Sequence, residues 1–328
     1  MLFVIVGAFR PPRLNPIQNA TVLSRLENLK KSTNQKSAVR VGQHTVRIDF
    51  ESVTSYFSIL KDRLVIDFEV KRIELDGERR RRGRDKRWSS AKHGLNEPVA
   101  YPGKDIILRF YPEFNGPVKT ELFTDSNSID FVKRDRKGRV KDLIPSMYYP
   151  ITSQAFLKKS DNSNQFTITI DRSAGVASLK NTELEIMLHR RGLSDDCKGL
   201  KEALNDVSPT KGKIFLNFGV LERTEMKRLE KEINHKVLEM SSQSNIFAKS
   251  KLPNELHLLD AHIDDFDESL MVIRLENLSK KSIEFPNILE VFNCKHHAVM
   301  FNLPGTEVVR QAYEIRKHQI LTFKCEIL

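Results

Sequence analysis

Long apolar runs are missing from this sequence. No segment approaches the ~18 consecutive apolar residues that a membrane-spanning helix requires. The opening run, Leu2 to Phe9, has no basic segment before it and stops at Arg10-Pro11-Pro12, so it reads as a first strand and gives no clear signal peptide. Cysteine is scarce: Cys197, Cys294 and Cys325 are too few and too far apart for a CxxC metal knuckle or a disulfide framework. Cys294 and Cys325 are expected as buried free thiols, with pairing between neighbouring strands as the alternative, which leaves the redox compartment open. Also absent are the GxxxxGK phosphate loop, the GxGxxG dinucleotide fingerprint, the GxSxG elbow and the HExxH zinc helix, so those chemistries in their usual form are excluded.

What is present is a chain of 328 residues, 39% apolar, long enough for two or three domains with a sizeable core. The net charge of +11 is concentrated in "GERRRRGRDKR", Gly77 to Arg87. Such a run can hold polyanions through counterion release. Nucleic-acid modules interleave aromatics with their basic residues or carry a recognition helix, and here only Trp88 follows, so a solvated basic loop is the better reading and nucleic acid is disfavoured as a partner.

Alternation dominates the first half. Val46, Ile48 and Phe50 face one way with Arg47 and Asp49 opposite, and Leu64, Ile66, Phe68 and Val70 repeat the pattern. It fails between Gly77 and Lys104, where Arg, Gly and Ser with Pro98 and Pro102 mark a loop or insert, and resumes in "DIILRFY", "QFTITI" and "ELEIML". In the last of these Leu184, Ile186 and Leu188 form one face, opposite Glu185 and Met187. From Leu221 to Met240 the period lengthens: Met226, Leu229, Ile233, Val237 and Met240 predict one amphipathic helix. Short strands follow, ending in "ILTFKCEIL", where Leu321, Phe323, Cys325 and Ile327 share a face. Many short strands and one helix predict a mainly β protein, an antiparallel β-sandwich. The expected domains are 1–115, carrying the basic loop 77–87, then 116–240 with the helix 221–240, then 251–328.

Few residues invite a chemical reading. Asp195 and Asp196 are adjacent, whereas glycosidase carboxyls stand about 5 to 9 Å apart across one substrate. Neighbours in an extended segment point to opposite faces, so a loop role, capping amides or pairing with Arg190 or Arg191, is the better reading. His262-Ile263-Asp264 has a spacing that could offer zinc two ligands, and His257 lies nearby, but no further ligands accompany them. His296-His297 lacks company in the same way. Asn19-Ala-Thr and Asn277-Leu-Ser are glycosylation sequons, and two in this length is near chance.

Several longer motifs stand in a fixed order: Phe123-Thr124-Asp125-Ser126-Asn127, Tyr148-Tyr149-Pro150, Asp171-Arg172-Ser173-Ala174-Gly175, Leu184-Glu185-Ile186-Met187, and Arg190-Arg191 through Asp195-Asp196-Cys197-Lys198-Gly199. With "LPNELHLLDA" (Leu252 to Ala261), this series resembles the C-terminal half of family-38 glycoside hydrolases, the retaining α-mannosidases of lysosome and Golgi. The match is strong over 120–205, fair over 250–328 and weak before 115. Gly192 stands where the family has leucine, and Val176 where a second glycine is common.

The resemblance implies a galactose-mutarotase-like supersandwich with a small C-terminal β-domain, and a lysosomal or Golgi lumen. It implies mannose-containing glycans as ligands and a catalytic α-mannosidase segment as partner. Asp195, Asp196, Lys198 and Gly199 then line the cleft, while Arg190, Arg191, Asp171 and Arg172 form a buried polar network supporting that loop. Zinc, held by two His and two Asp, and the aspartate nucleophile belong to the family's catalytic half. No segment here resembles that half, so no residue is assigned a catalytic or metal role and the chain alone is expected to be inactive. The alternative is a non-catalytic β-sandwich that binds polyanions or a protein partner through the arginine-rich loop.

Overall fold

The structure is a computed structural model that describes residues 2–9, 35–43, 45–50, 52–60, 63–73, 103–114, 118–136, 144–192, 202–235, 252–265, 267–286, 299–300 and 312–326. The basic run 77–87, Asn19, Asp195 to Gly199, Val237, Met240, Cys294, His296, His297 and Ile327 lie outside the described residues, as does the side chain of Cys325.

The chain divides into two compact units, Met1–Val220 and Leu221–Leu328. The first holds two sheets. Strands β2 (Gln35–Gly42), β3 (Thr45–Phe50), β4 (Val53–Leu60), β5 (Arg63–Val70), β7 (Thr120–Ser126), β8 (Asp130–Arg134), β10 (Gln154–Lys159), β11 (Gln165–Ile170) and β14 (Thr210–Phe218) form a nine-stranded sheet in the order β2-β3-β4-β5-β14-β11-β10-β7-β8. Strands β1 (Leu2–Phe9), β6 (Gly103–Pro112), β9 (Tyr149–Ile151), β12 (Ala174–Ala177) and β13 (Leu184–Gly192) form a five-stranded sheet in the order β1-β6-β13-β12-β9. All pairings are antiparallel except β1 with β6.

The alternating residues build one core between these sheets. Val46, Ile48, Phe57, Ile66 and Ile214 from the larger sheet meet Ile106, Leu108, Phe110, Leu184 and Ile186 from the smaller. Phe110 and Phe166 join the layers with ring centroids 5.6 Å apart. Burying such a side chain contributes about 2–3 kcal/mol, so this face-to-face packing is what makes the unit a sandwich. The expected boundary near residue 115 has no counterpart: β5 pairs with β14 and β6 with β13, so strands from both sides of it share each sheet.

One motif residue, Asp125, acts as a staple. The Asp125 carboxylate ends β7 and accepts N–H bonds from Thr152 and Ser153 and the Ser153 hydroxyl, each at 2.9 Å. It thereby ties the β7–β8 turn, where Asn127 and Ser128 take left-handed φ of 52° and 55°, to the bend before β10. Gly212 serves packing: a Cβ there would lie 2.7 Å from Phe68 Cζ.

The second unit contains helix α1 (Arg223–Asn234), a sheet of β15 (Leu256–Ile263), β16 (Leu270–Asn277), β20 (Ile320–Glu326) and β18 (Val299–Met300), and the pair β17 (Ile283–Pro286) and β19 (Ala312–Ile315). The helix therefore groups with the C-terminal strands, not with the residues before it. It buries Met226, Leu229 and Ile233 as the spacing predicts, and also Lys227 and Glu230.

Asn277 is fully buried, and its amide donates to the carbonyls of Lys281, Ile315 and Arg316 at 2.8, 2.9 and 3.1 Å. The sequon asparagine is thus a bracket between β16 and the end of β19, with no face open to a glycan. Asn277→Ala should cost about 2 kcal/mol by orphaning these carbonyls, read as a lower denaturation midpoint. A change within ~0.5 kcal/mol would refute the bracket.

Candidate functional site

The candidate site is the neck of the segment 193–201, at the end of β13. Strand β13 pairs with β6 and carries a one-residue register shift between Met187 and His189. Strict alternation from Leu184, Ile186 and Leu188 would send Arg190 toward the core and Arg191 away from it. The bulge reverses this, as an extra residue in one strand must.

Arg191 is accordingly 1% exposed. Its Nε donates to Asn205 Oδ1 at 2.9 Å, and its Nη1 donates to the carbonyl of Ile73, a core residue. Next to it, the Gly192 amide donates to the Leu204 carbonyl at 2.8 Å. Arg191 and Gly192 are thereby clamped to Asn205 and Leu204, and the clamp is anchored in the sandwich by a buried guanidinium. Arg190 instead makes a bidentate pair with Asp105 at 2.7 and 3.0 Å on the outer face, 44% exposed, and that pairing raises its pKa.

Farther along the same outer face lies a charged cluster that the sequence did not reveal. Glu185 is fully buried, accepting the Tyr148 hydroxyl on Oε1 and Arg109 Nε at 2.7 Å on Oε2. Glu183 stands 3.3 Å from the same Arg109 nitrogen. Burial, and then the bond to Glu185, pushes the Tyr148 phenol well above its ordinary value, so it remains a protonated donor. Gly175 leaves room for this ring, since a Cβ there would lie 3.3 Å from Tyr148 Cδ1. Tyr148, Gly175 and Glu185 each come from a different motif of the series.

Asp171 and Arg172 do not join the neck. Asp171 Oδ2 accepts the Lys213 amide at 2.9 Å, and Arg172 sits 3.6 Å from Asp171 with its guanidinium carbon 5.9 Å from the centre of the Phe68 ring. Both are exposed and bind the bend after β11 to β14. The expected buried network of four residues is therefore corrected: only Arg191 is buried, because the bulge turns it inward while the others end at strand edges or on the outer face. Asp195, Asp196, Lys198 and Gly199 lie outside the described residues.

The His-x-Asp spacing also separates in space. His262 Nδ1 lies 2.9 Å from Asp260, which Arg274 also contacts at 3.1 Å, while buried Asp264 pairs with Lys324. Among the described residues no group of three or more His, Cys, Asp or Glu side chains could hold a metal ion. The zinc implied by the resemblance thus has no such group among them. No helix among them is long and apolar enough to cross a membrane.

Comparison with known proteins agrees with the motif series. The model of the glycosyl hydrolases family 38 C-terminal domain matches residues 24–198. A probable α-mannosidase of Arabidopsis thaliana is 38% identical over 108 residues, covering 31% of this chain and 10% of that protein. The lysosomal α-mannosidase of Dictyostelium discoideum is 26% identical over 223 residues, covering 58% of this chain and 22% of its own length. An α-mannosidase structure from Enterococcus faecalis V583 aligns at 13% identity and a TM-score of 0.49, over 86% of this chain and 29% of that one. The chain thus matches only about a tenth to a fifth of the curated relatives' length. Since the family model covers more than half of it, the chain belongs to the glycosyl hydrolase family 38 C-terminal domain family.

Proposed function

We propose that this chain is the glycan-facing sandwich of an α-mannosidase, forming one wall of a mannose-binding cleft and leaving hydrolysis to a catalytic segment. The observation that carries the reading is the clamped neck: a buried Arg191 and the Gly192–Leu204 bond fix the residues that flank 193–201. A loop presenting polar groups to a sugar has to be held rigidly at its base, and its only glycine, Gly199, lets backbone approach a ligand. Asp195, Asp196 and Lys198 supply hydroxyl-binding groups. Zinc and the aspartate nucleophile come from the catalytic segment, as the family implies.

The test is titration of the purified chain with a mannose oligosaccharide, followed by NMR, beside a turnover assay with a chromogenic α-mannoside with and without Zn²⁺. Saturable shifts that Asp196→Ala and Lys198→Ala abolish, without turnover, are expected. Turnover by the isolated chain, or a response indistinguishable from that to a galactose oligosaccharide, would overturn the reading.

A further inference from the structure

The C-terminal unit contains a cleft that this reading leaves unused. It has a volume of about 550 Å³ and lies between α1, the turn before β15, and β15 itself. Its helix side is formed by Arg228, Lys231, Glu232 and His235, residues three or four apart that share one face. That face is opposite the stripe of Met226, Leu229 and Ile233 that the helix buries. Its other wall is apolar, formed by Leu252, Pro253, Leu256, Leu258 and Leu278. His257 enters from β15 toward the helix, its ring centre 6.4 Å from that of His235 at an angle of 61°.

The basic groups are held in place. Arg228 Nη1 donates to Asn254 Oδ1 at 2.9 Å, fixing the guanidinium at the cleft wall. Lys231 stands 3.3 Å from Glu276, which limits its ammonium to one region. Burial, then the charge of Lys231, lowers the proton affinity of His257, while Glu276 acts in the opposite direction. Three acids stand beside these groups: Glu232, exposed on the helix face, Glu276 beside Lys231, and buried Glu230, 4.0 Å from His235. Convergent nitrogen donors opposite an apolar wall suit a ligand with an oxyanion at one end and a hydrophobic body at the other. A guanidinium, an ammonium and two imidazoles offer more donors than the two oxygens of a carboxylate can use, whereas a phosphoryl group has three oxygens to receive them.

We propose that this cleft binds a small organic phosphomonoester, with its phosphoryl group held by Arg228, Lys231, His235 and His257 and its organic part packed on Leu252, Leu256 and Leu258. The site is in the second unit and does not depend on glycan binding by the first. The test uses the full chain in phosphate-free buffer, with phenyl phosphate, inorganic phosphate and benzoate as probes in calorimetry and ³¹P NMR. Phenyl phosphate should bind saturably, at least tenfold tighter than either of the others. Arg228→Gln, at an exposed position that leaves folding intact, should weaken it at least tenfold, and so should His257→Gln. Circular dichroism checks that both variants are folded. Phenyl phosphate binding that is absent, no tighter than that of inorganic phosphate, or unchanged in folded Arg228→Gln would overturn the proposal.

Discussion

Glu185→Ala is expected to destabilise the sandwich unit by about 3–5 kcal/mol, the cost of breaking a buried ion pair by removing one partner. The carboxylate is fully buried and holds two donors at once, Tyr148 on one oxygen and Arg109 on the other. Without it Arg109, 13% exposed, loses its bonded carboxylate and is left beside Glu183 at 3.3 Å, and the phenol loses its acceptor. Glu185→Gln should cost roughly half as much, since its amide oxygen still receives Tyr148 but carries no charge for Arg109. Denaturant unfolding of the two variants and of Tyr148→Phe provides the comparison, and a cost below ~1 kcal/mol for Glu185→Ala would remove the cluster from the account. The same pair sets an alkaline limit. The raised Tyr148 pKa means that its contribution is complete below the unfolded phenol value of about 10 and is lost as pH rises above it. The wild type should therefore lose more stability above about pH 10 than Tyr148→Phe does.

The core was legible because it obeys a period of two: Val46, Ile48 and Phe50, like Leu184, Ile186 and Leu188, are where alternation puts them. Glu185 was not, for the same reason. Alternation places a glutamate on the outer face and implies solvent, but that face is covered locally, and its partner Arg109 is 76 residues away in sequence. Strand β11 makes the point again, since Gln165, Thr167 and Thr169 opposite its core face are also buried, bonded to one another and to Gln154. A pattern of types reports which face meets the core, not whether the other is wet. The domain boundaries failed on non-local pairing: nothing in the residues near 115 says that β5 will close against β14. The His-x-Asp spacing, to which no metal role was assigned, brings its two side chains to separate partners, His262 to Asp260 and Asp264 to Lys324. The bulge in β13 has no composition signal in "EIMLHRRG", although two adjacent strand arginines require that one face inward.

That requirement makes the arginine pair the sharpest test of the neck. Arg191→Ala should cost about 3–4 kcal/mol, from a cavity at a fully buried position together with an unpaired Ile73 carbonyl. Arg190→Ala, one residue earlier, should cost at most ~1 kcal/mol, because its pair with Asp105 is at the surface. Arg191→Lys should fall between them: an ammonium keeps the charge but lacks the fork that reaches Asn205 and Ile73 together. Asn205→Ala removes one bond and spares the core, so it separates the neck from the stability of the sandwich, at about 1 kcal/mol. The functional readouts should follow the same order. Arg191→Ala should speed limited proteolysis within 193–201 and weaken the mannose-oligosaccharide response, Asn205→Ala should do both to a smaller degree, and Arg190→Ala should do neither. Equal costs for the two arginines would mean that the bulge does not turn Arg191 inward. A destabilised Arg191→Ala whose folded fraction binds glycan normally would mean that the neck does not position the loop.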